Sequence, residues 1–221
     1  MKEELQYAQS ITSSLFDAIE SNQLFIPGKS ESQLVDEIVR LAQSQFEISQ
    51  YWHKKIVRVG SNTLAGYPDN PPNRILEEED ILFVDLGPVI NGYEADFGRT
   101  YVIGNDATRI KIRQDVEAAW YELRDWCNTQ DKIIASELYH RCKSKAIEYG
   151  WTFSGDIAGH IVGKYPHEQP EDPASPELDI HPSNHADIFQ LDKSGNPRHW
   201  ILELQFVDQH RKIGAYFEQL I

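Results

Sequence analysis

Residues 81–100 read ILFVDLGPVINGYEADFGRT, and this stretch predicts a β-hairpin. Asn91-Gly92 is the strongest short signal for a two-residue turn between antiparallel strands. The residues on either side of the turn are largely β-branched, aromatic or otherwise apolar, as half-buried strands require. We therefore predict that residues 81–103 form one hairpin, whose register follows from the position of the turn.

This register places two aspartates on the same face of the hairpin. Asp85 lies opposite Gly98, and Asp96 lies opposite Gly87, so both carboxylates point to one side. Such diagonal neighbours are roughly 7 to 8 Å apart at Cα, and their side chains can share a pair of cations about 3.5 Å apart. The two facing glycines are expected to leave that space empty.

A second hairpin with the same feature is predicted near the C-terminal end. Two apolar runs, residues 200–202 and 215–217, flank the polar stretch 208–212, which reads as a loop. Glu203 and Glu218 are equally far from the centre of that loop, so they should lie nearly opposite each other, where two like charges destabilise a sheet. A divalent metal is the simplest positive partner, since oxygen ligands with one imidazole suit manganese, cobalt, iron or zinc.

Acidic residues in strands can also be solvated by water or paired with basic side chains. A single one is more often a solvated surface group, but four in two mirrored hairpins are harder to account for in that way, because an unpaired buried charge is very costly. Arginine or lysine could neutralise them, yet only Arg99, Arg211 and Lys212 lie near the two hairpins in the sequence. The pattern favours metal over such ion pairs.

Residues 159–170 read GHIVGKYPHEQP, and they resemble the histidine motif of the pita-bread metallopeptidases. That superfamily includes methionine aminopeptidase, aminopeptidase P and prolidase. The motif consists of Gly-His at His160, the glycine Gly163 and a His-Glu-x-Pro sequence that begins at His167. Residues 91–100 and 73–76 are similar to the aminopeptidase P and prolidase branch, and the resemblance extends with gaps to the C-terminus.

The resemblance implies an α+β protein with the pita-bread fold, in which a curved antiparallel sheet with outer helices is built from two pseudo-twofold halves. The periodicity of the sequence agrees with this fold. Helical spacing is found at residues 5–19, 30–46, 108–127 and 136–149, and each pair of helices precedes predicted strands. We predict a single catalytic domain over residues 1–221.

The resemblance also implies a centre of two divalent metal ions, with manganese as the first candidate and cobalt, zinc or iron as alternatives. Carried over residue by residue, it makes Asp96 and Glu218 the bridging ligands and Asp85 a ligand of one ion. His160 and Glu203 then complete the ligands of the other ion. Two ligands come from the first half of the chain and three from the second.

Two residues receive catalytic roles from the resemblance. Glu203 would accept the proton of the metal-activated water and pass it to the leaving amine, and His167 would donate a hydrogen bond to the substrate carbonyl or the tetrahedral intermediate. The sequence departs from the family at two places. Residues 61–72 lack a histidine that family members usually have, and Leu204 and Gln205 follow Glu203 instead of proline and glycine, so the backbone there is expected to run differently.

Composition agrees with a folded, soluble protein. The chain has 221 residues, of which 40% are hydrophobic, enough for one sizeable core. Its net charge of −14 disfavours nucleic acid and anionic membranes as partners. The N-terminus carries acidic residues where a signal peptide needs basic ones, so a cytoplasmic location is expected. Cys127 and Cys142 fit no disulfide or metal pattern and are interpreted as structural thiols.

The least patterned segment is 171–197, which we predict to be a loop insertion near the site that shapes substrate choice. His181 and His185 within it could suggest a further metal site, but Pro182 argues against a helix that presents both. We favour their interpretation as surface histidines.

The ligand pattern and the resemblance together imply a dinuclear metallopeptidase that removes an N-terminal residue from a peptide substrate. The resemblance to the aminopeptidase P and prolidase branch implies a preference for proline in the second position, as in Xaa-Pro dipeptidases. A methionine aminopeptidase-like activity is the nearest alternative, because we expect this chain, like those enzymes, to lack the separate N-terminal domain that is common in the proline-directed branch. A third alternative is a non-catalytic module that keeps the fold and binds a peptide or a partner protein. A homodimer is compatible with all three.

Overall fold

The computed structural model describes residues 1–172 and 174–221. Within these residues the chain forms helices and strands in the following order: α1 Lys2–Ser21, α2 Glu31–Phe46, β1 Ile56–Val59, a 3-10 helix Gly60–Leu64, β2 Asp80–Leu86, β3 Val89–Ile90, β4 Tyr93–Glu94, β5 Phe97–Ile103, α3 Ala107–Cys127, α4 Ala135–Glu148, β6 Thr152–Phe153, β7 Ile161–Val162, β8 His199–Asp208 and β9 Ile213–Leu220. The predicted order of two helices followed by strands therefore occurs twice.

Local capping signals set the beginnings of two helices. Ser30 caps α2 with a full capping box, in which its hydroxyl accepts from the Gln33 amide and the Gln33 side chain accepts from the Ser30 amide. Asp106 caps α3 by accepting from the amides of Thr108 and Arg109. Each cap contributes about 1 kcal/mol. None of the helices in the two described ranges offers the apolar length that a bilayer span requires.

The first predicted hairpin is confirmed together with its register. β2 pairs with β5, and Asp85 lies directly opposite Gly98. β3 pairs with β4 on either side of the turn at Asn91 and Gly92. Both turn residues have positive φ, 53° and 80°, as a two-residue hairpin turn requires.

β8 and β9 form the second predicted hairpin, in which Glu203 lies directly opposite Glu218. The two hairpins join along β5 and β9, where Gly98 pairs with Glu218. The sheet has the antiparallel order β1-β2-β5-β9-β8-β6, with β7 paired to β8. One row across this sheet consists of Ile56, Asp85, Gly98, Glu218 and Glu203.

Alternate residues of the same strands form the hydrophobic core on the other face of the sheet. Leu82 and Val84 of β2 pack with residues of α1 and α2, whereas Leu202 and Leu204 of β8 pack with residues of α3 and α4. Each such side chain contributes roughly 1.5 to 3 kcal/mol when fully buried. Because side chains alternate along a strand, Leu204 belongs to the core while its neighbour Glu203 faces the opposite side. Both cysteines are free thiols buried in this core.

The segment 171–197 contains no helix or strand among its described residues, as predicted for a loop, and Pro173 lies outside the described residues. An isolated bridge between Asp179 and His160 connects this loop to the motif that precedes β7. The loop therefore lies beside the face of the sheet that carries the acidic row.

Candidate metal centre

The five predicted ligands come together where the two hairpins join. Asp85, Glu218 and Glu203 belong to the row across β2, β9 and β8. Asp96, just before β5, meets His160, just before β7, with 3.3 Å between Oδ2 and Nε2. Ligand atoms of Asp96, His160 and Glu218 all lie within 4.8 Å of one another. A single cation could contact all three.

The carboxylates of this cluster are largely withdrawn from water. Asp85, Asp96 and Glu218 are 6%, 3% and 1% exposed, and Glu203 is half-buried. Burial raises the pKa of Asp85 to about 7 and also raises the pKa of Glu203 and of Glu218, because the charged form loses hydration. Burial alone would raise the pKa of Asp96 as well, but the neighbouring imidazoles lower it.

Two of the buried carboxylate oxygens have no hydrogen-bond donor among the described residues. These are Asp85 Oδ1 and Glu218 Oε2. A buried charge without a partner is very costly, and such charges are normally paired or bound to a metal. Four carboxylates with an imidazole form a donor set that suits divalent transition metals. The residues therefore fit two divalent ions, whose charge would balance that of the four carboxylates.

Two of the basic residues considered as alternative counter-charges, Arg99 and Arg211, have other partners. The guanidinium of Arg99 donates to the backbone carbonyls of Gly98 and Glu218, at 2.7 and 2.9 Å, and does not reach the carboxylate cluster. Arg211 donates to Asp208 in the turn between β8 and β9. Within the described parts of the chain, the two site aspartates form ion pairs with histidines alone.

His53 is a site residue that the sequence patterns missed. Its Nε2 lies 3.1 Å from Asp96 Oδ1 and 3.6 Å from Asp85 Oδ1. Burial alone would lower the pKa of His53, but the two aspartates raise it to about 10. The ring occupies the space beside Gly87, where an added Cβ would overlap it. The expectation of an empty space there is wrong, because the imidazole of His53, from another segment, fills it. A glycine in a strand indicates that another group packs closely against the backbone, but it does not identify that group.

The space beside Gly98 is also filled, in this case by Tyr216 of β9. An added Cβ at Gly98 would overlap the phenol ring, and the hydroxyl donates a hydrogen bond to Glu203 Oε2. Burial raises the pKa of Tyr216 well above its usual value, so the hydroxyl keeps its proton and acts as a donor. Tyr216 shares its face of the strand with Glu218, and this alternation is a signal from which it could have been identified.

His167 is held in place by Glu94, another residue that the sequence patterns missed. The Nδ1 of His167 donates to Glu94 Oε2 at 2.8 Å, and the amides of Gly163 and His167 donate to the same carboxylate at 3.0 Å. Glu94 is 1% exposed. With Nδ1 engaged, Nε2 is the ring nitrogen left for contacts in the cavity that His167 lines.

A cavity of about 670 Å³ opens over these side chains, and this volume suits a small peptide. Its floor carries a second row of side chains, next to the acidic one, which consists of Arg58, Phe83, Tyr216 and Gln205. The Gln205 amide donates to the Thr63 carbonyl at 2.8 Å, which ties the 3-10 helix to the sheet. Leu204 and Gln205, which follow Glu203 in place of proline and glycine, lie within the continuous strand β8.

His181 and His185 take no part in the centre. His185 is exposed, with Nδ1 3.1 Å from Ser136 Oγ, and His181 accepts a hydrogen bond from the Ser183 amide at 3.0 Å. Neither belongs to a cluster with metal-ligand spacing in residues 1–172 and 174–221. Their loop nevertheless contributes Asp179 to the cavity wall.

The chain matches the model of metallopeptidase family M24 over residues 3–190. Among curated proteins, a methionine aminopeptidase from Clostridium acetobutylicum is 28% identical over 119 residues, which are 52% of this chain and 45% of that protein. The chain spans about half the length of the curated relatives it matches.

Solved structures share the fold. A dipeptidase from Pyrococcus horikoshii aligns with a TM-score of 0.76 at 23% identity, over 98% of this chain and 55% of that one. A methionine aminopeptidase from Thermotoga maritima aligns with a TM-score of 0.72 at 17% identity, over 99% of this chain and 91% of that one. At these identities the likeness concerns the fold, and it confirms the predicted pita-bread architecture.

Proposed function

We propose that this chain, which belongs to metallopeptidase family M24, is a two-metal peptidase that removes the N-terminal residue from peptides. The observation that carries the proposal is the buried cluster of four carboxylates and His160, in which two oxygens lack a donor among the described residues. The cluster forms the floor of an open cavity, which supports a catalytic rather than a purely structural centre. We take residues 1–221 as one catalytic domain, because both hairpins contribute to the same cluster.

Asp96 and Glu218 are the proposed bridging ligands, with Asp85 on one ion and His160 and Glu203 on the other. Two ions bound there would lower the pKa of a shared water and polarise the scissile carbonyl. Manganese is the first candidate, because most of the donor atoms are carboxylate oxygens, and cobalt, zinc or iron are alternatives.

Glu203 is the proposed proton acceptor. Tyr216 already donates to Oε2 of this carboxylate, which leaves Oε1 to receive the proton from water. Burial raises the pKa of Glu203, so it is a stronger base than an exposed glutamate. The same carboxyl group can then return the proton to the leaving amine.

His167 is the proposed hydrogen-bond donor to the substrate. Glu94 holds Nδ1, so the ring is fixed before a substrate enters. When Nε2 carries a proton, it can donate to the substrate carbonyl and to the tetrahedral intermediate that follows. A donor in this role contributes roughly 2 to 4 kcal/mol in the transition state.

We favour substrates with proline in the second position. The support is the resemblance of residues 91–100 to the aminopeptidase P and prolidase branch, together with the dipeptidase fold neighbour. The relative named methionine aminopeptidase makes methionine removal the alternative. Paired assays of Xaa-Pro and Met-Ala peptides separate the two, because the preferred class should have the higher kcat/KM by about tenfold or more.

Metal analysis after loading with manganese or cobalt tests the central proposal. We expect two equivalents per chain and a raised Tm, and Asp96→Asn should lose both effects. Asp36→Asn changes an exposed aspartate of α2 and should behave as the wild type. Binding below about half an equivalent, with Asp96→Asn unchanged in Tm, would reject the enzyme and favour the non-catalytic binding module.

A further inference from the structure

His53 and His160 approach Asp96 in the same manner from two sides. Each ring has its Nδ1 at the carbonyl oxygen of the residue that follows it, at 2.7 Å for Lys54 and 3.0 Å for Ile161. Each Nε2 faces one oxygen of Asp96, at 3.1 Å to Oδ1 for His53 and 3.3 Å to Oδ2 for His160. The two rings are therefore equivalent in their contacts, although the family resemblance assigns a ligand role to His160 alone.

Hydrogen-bond chemistry defines what the two Nε2 atoms require. A carbonyl oxygen can only accept, so the proton beside it belongs to Nδ1, and a neutral ring then has its lone pair on Nε2. A carboxylate oxygen is also an acceptor, so Nε2 and that oxygen need a positive partner between them, which is either a proton on the ring or a metal ion. Metal-binding histidines typically have this arrangement, in which the N–H on the far side of the ring donates to a backbone carbonyl.

The distances around His53 suit a metal ion in that place. Two donors bound to one ion at about 2.0 to 2.2 Å and at angles of roughly 90 to 110° are about 2.8 to 3.6 Å apart. The Nε2 of His53 lies 3.1 Å from Asp96 Oδ1 and 3.6 Å from Asp85 Oδ1. Asp85 Oδ1 has no hydrogen-bond donor among the described residues, and the His53 side chain is only 5% exposed.

The fold also holds this ring firmly. The Trp52 amide donates to the Gly87 carbonyl and its indole N–H donates to the Ala95 carbonyl, both at 2.9 Å, so the residue before His53 is attached to both sides of the first hairpin. The Trp52 ring packs edge-on against His53 and His160, with centroids 4.6 and 5.4 Å apart. A ligand fixed in this way needs little reorganisation to bind a metal.

We propose, on the basis of the two-metal centre proposed above, that His53 is a sixth protein ligand and binds through Nε2 the ion held by Asp85 and Asp96. Each ion then has one imidazole, His53 on the side of Asp85 and His160 on the side of Glu203. Because imidazole nitrogen suits zinc and iron better than manganese, the second histidine shifts the metal preference of its site toward those ions.

X-ray absorption of the full chain loaded with cobalt counts the imidazoles directly. Two histidines for two ions give an average of one imidazole per cobalt in the wild type. His53→Gln keeps a polar side chain but has no ring, so half an imidazole per cobalt is expected. His185→Gln changes an exposed histidine outside the centre and should give the wild-type count.

Calorimetric titration with cobalt gives a second readout. His53→Gln is expected to weaken one of the two binding steps by at least about tenfold and to leave the other unchanged. Two bound cobalt ions with only half an imidazole each in the wild type would overturn the role of His53 and leave the peptidase proposal intact. Failure of the wild type to bind two ions would overturn the proposed function itself. The wild-type count is decisive even if the variant does not fold.

Discussion

The two hairpins supply two carboxylates each to the centre, but different side chains fill the spaces beside them. In the first hairpin, Gly87 admits the ring of His53 from a separate segment, and its Nε2 then faces oxygens of Asp85 and Asp96. In the second, Tyr216 fills the space beside Gly98 and donates a hydrogen bond to Glu203. The first hairpin thus depends on a cation between the ring and its carboxylates, either a proton on Nε2 or a metal ion, whereas the second has one carboxylate oxygen that accepts from a tyrosine hydroxyl.

The largest effect is expected in the second hairpin, at Glu203. Glu203→Gln keeps the size of the side chain but removes the proposed proton acceptor, so kcat for peptide hydrolysis should fall by roughly 10² to 10⁴. Steady-state kinetics at matched metal content measure this loss, and Glu137→Gln, an exposed residue of α4, is the control. A variant that retains more than about a tenth of the wild-type kcat would contradict the proton-acceptor role.

The two glycines test the difference between the hairpins. Gly87→Ala should displace His53 and Gly98→Ala should displace Tyr216, because the added Cβ overlaps the ring in each case. Both variants should lose about 1 to 3 kcal/mol in the free energy of unfolding. Gly87→Ala is expected to weaken metal binding by about tenfold or more, whereas Gly98→Ala mainly lowers kcat.

Calorimetric metal titration and peptide kinetics on the same two preparations separate these effects. Equal metal affinities in the two glycine variants would show that the hairpins do not differ in their dependence on the cation.

A smaller effect is expected when the hydroxyl of Tyr216 is removed. Burial raises the pKa of Glu203, and the Tyr216 hydroxyl opposes that rise. Tyr216→Phe should therefore lower kcat by about tenfold, which corresponds to the lower end of the free energy that a hydrogen bond to a charged group contributes. It should also move the acid limb of the pH profile of kcat to higher pH, while KM stays constant. Tyr7→Phe, at an exposed position, is the control, and an unshifted pH profile would exclude a positioning role.

The smallest effect is expected in the pH dependence of stability. The pKa of Asp85 is raised to about 7 and that of His53 to about 10, so the folded chain holds protons that the unfolded chain releases. Stability of the chelator-treated protein should therefore fall as pH rises, from about 4 to 7 through Asp85 and from about 6.5 to 10 through His53. Metal binding strengthens over the same range, because its ligands must lose protons.

Thermal melts with cobalt and with chelator, at pH 6 and pH 8.5, measure this linkage. The difference in Tm between the two treatments should be larger at the higher pH by several degrees. A difference that shrinks as pH rises would mean that these groups do not titrate at a metal site.

Sequence patterns predicted most of the fold and the five acidic and histidine residues of the cluster. The turn at Asn91 and Gly92 predicted the correct register of the first hairpin, and the loop 208–212, equally far from Glu203 and Glu218, predicted that of the second. They did not reveal His53, since its place depends on hydrogen bonds from Trp52 to two sides of the first hairpin. Glu94 was missed for a related reason, because its partner His167 lies far along the chain.

Local sequence was sufficient to determine the hairpins, their registers and the face on which each carboxylate lies, because turn geometry and the two-residue period of a strand act over a few residues. Tertiary structure was needed to pair Gly98 with Glu218, to bring His160 to Asp96 and to insert His53 beside them. These contacts join distant segments, and they form because the opposite face of the sheet packs on the helices, which no local pattern specifies.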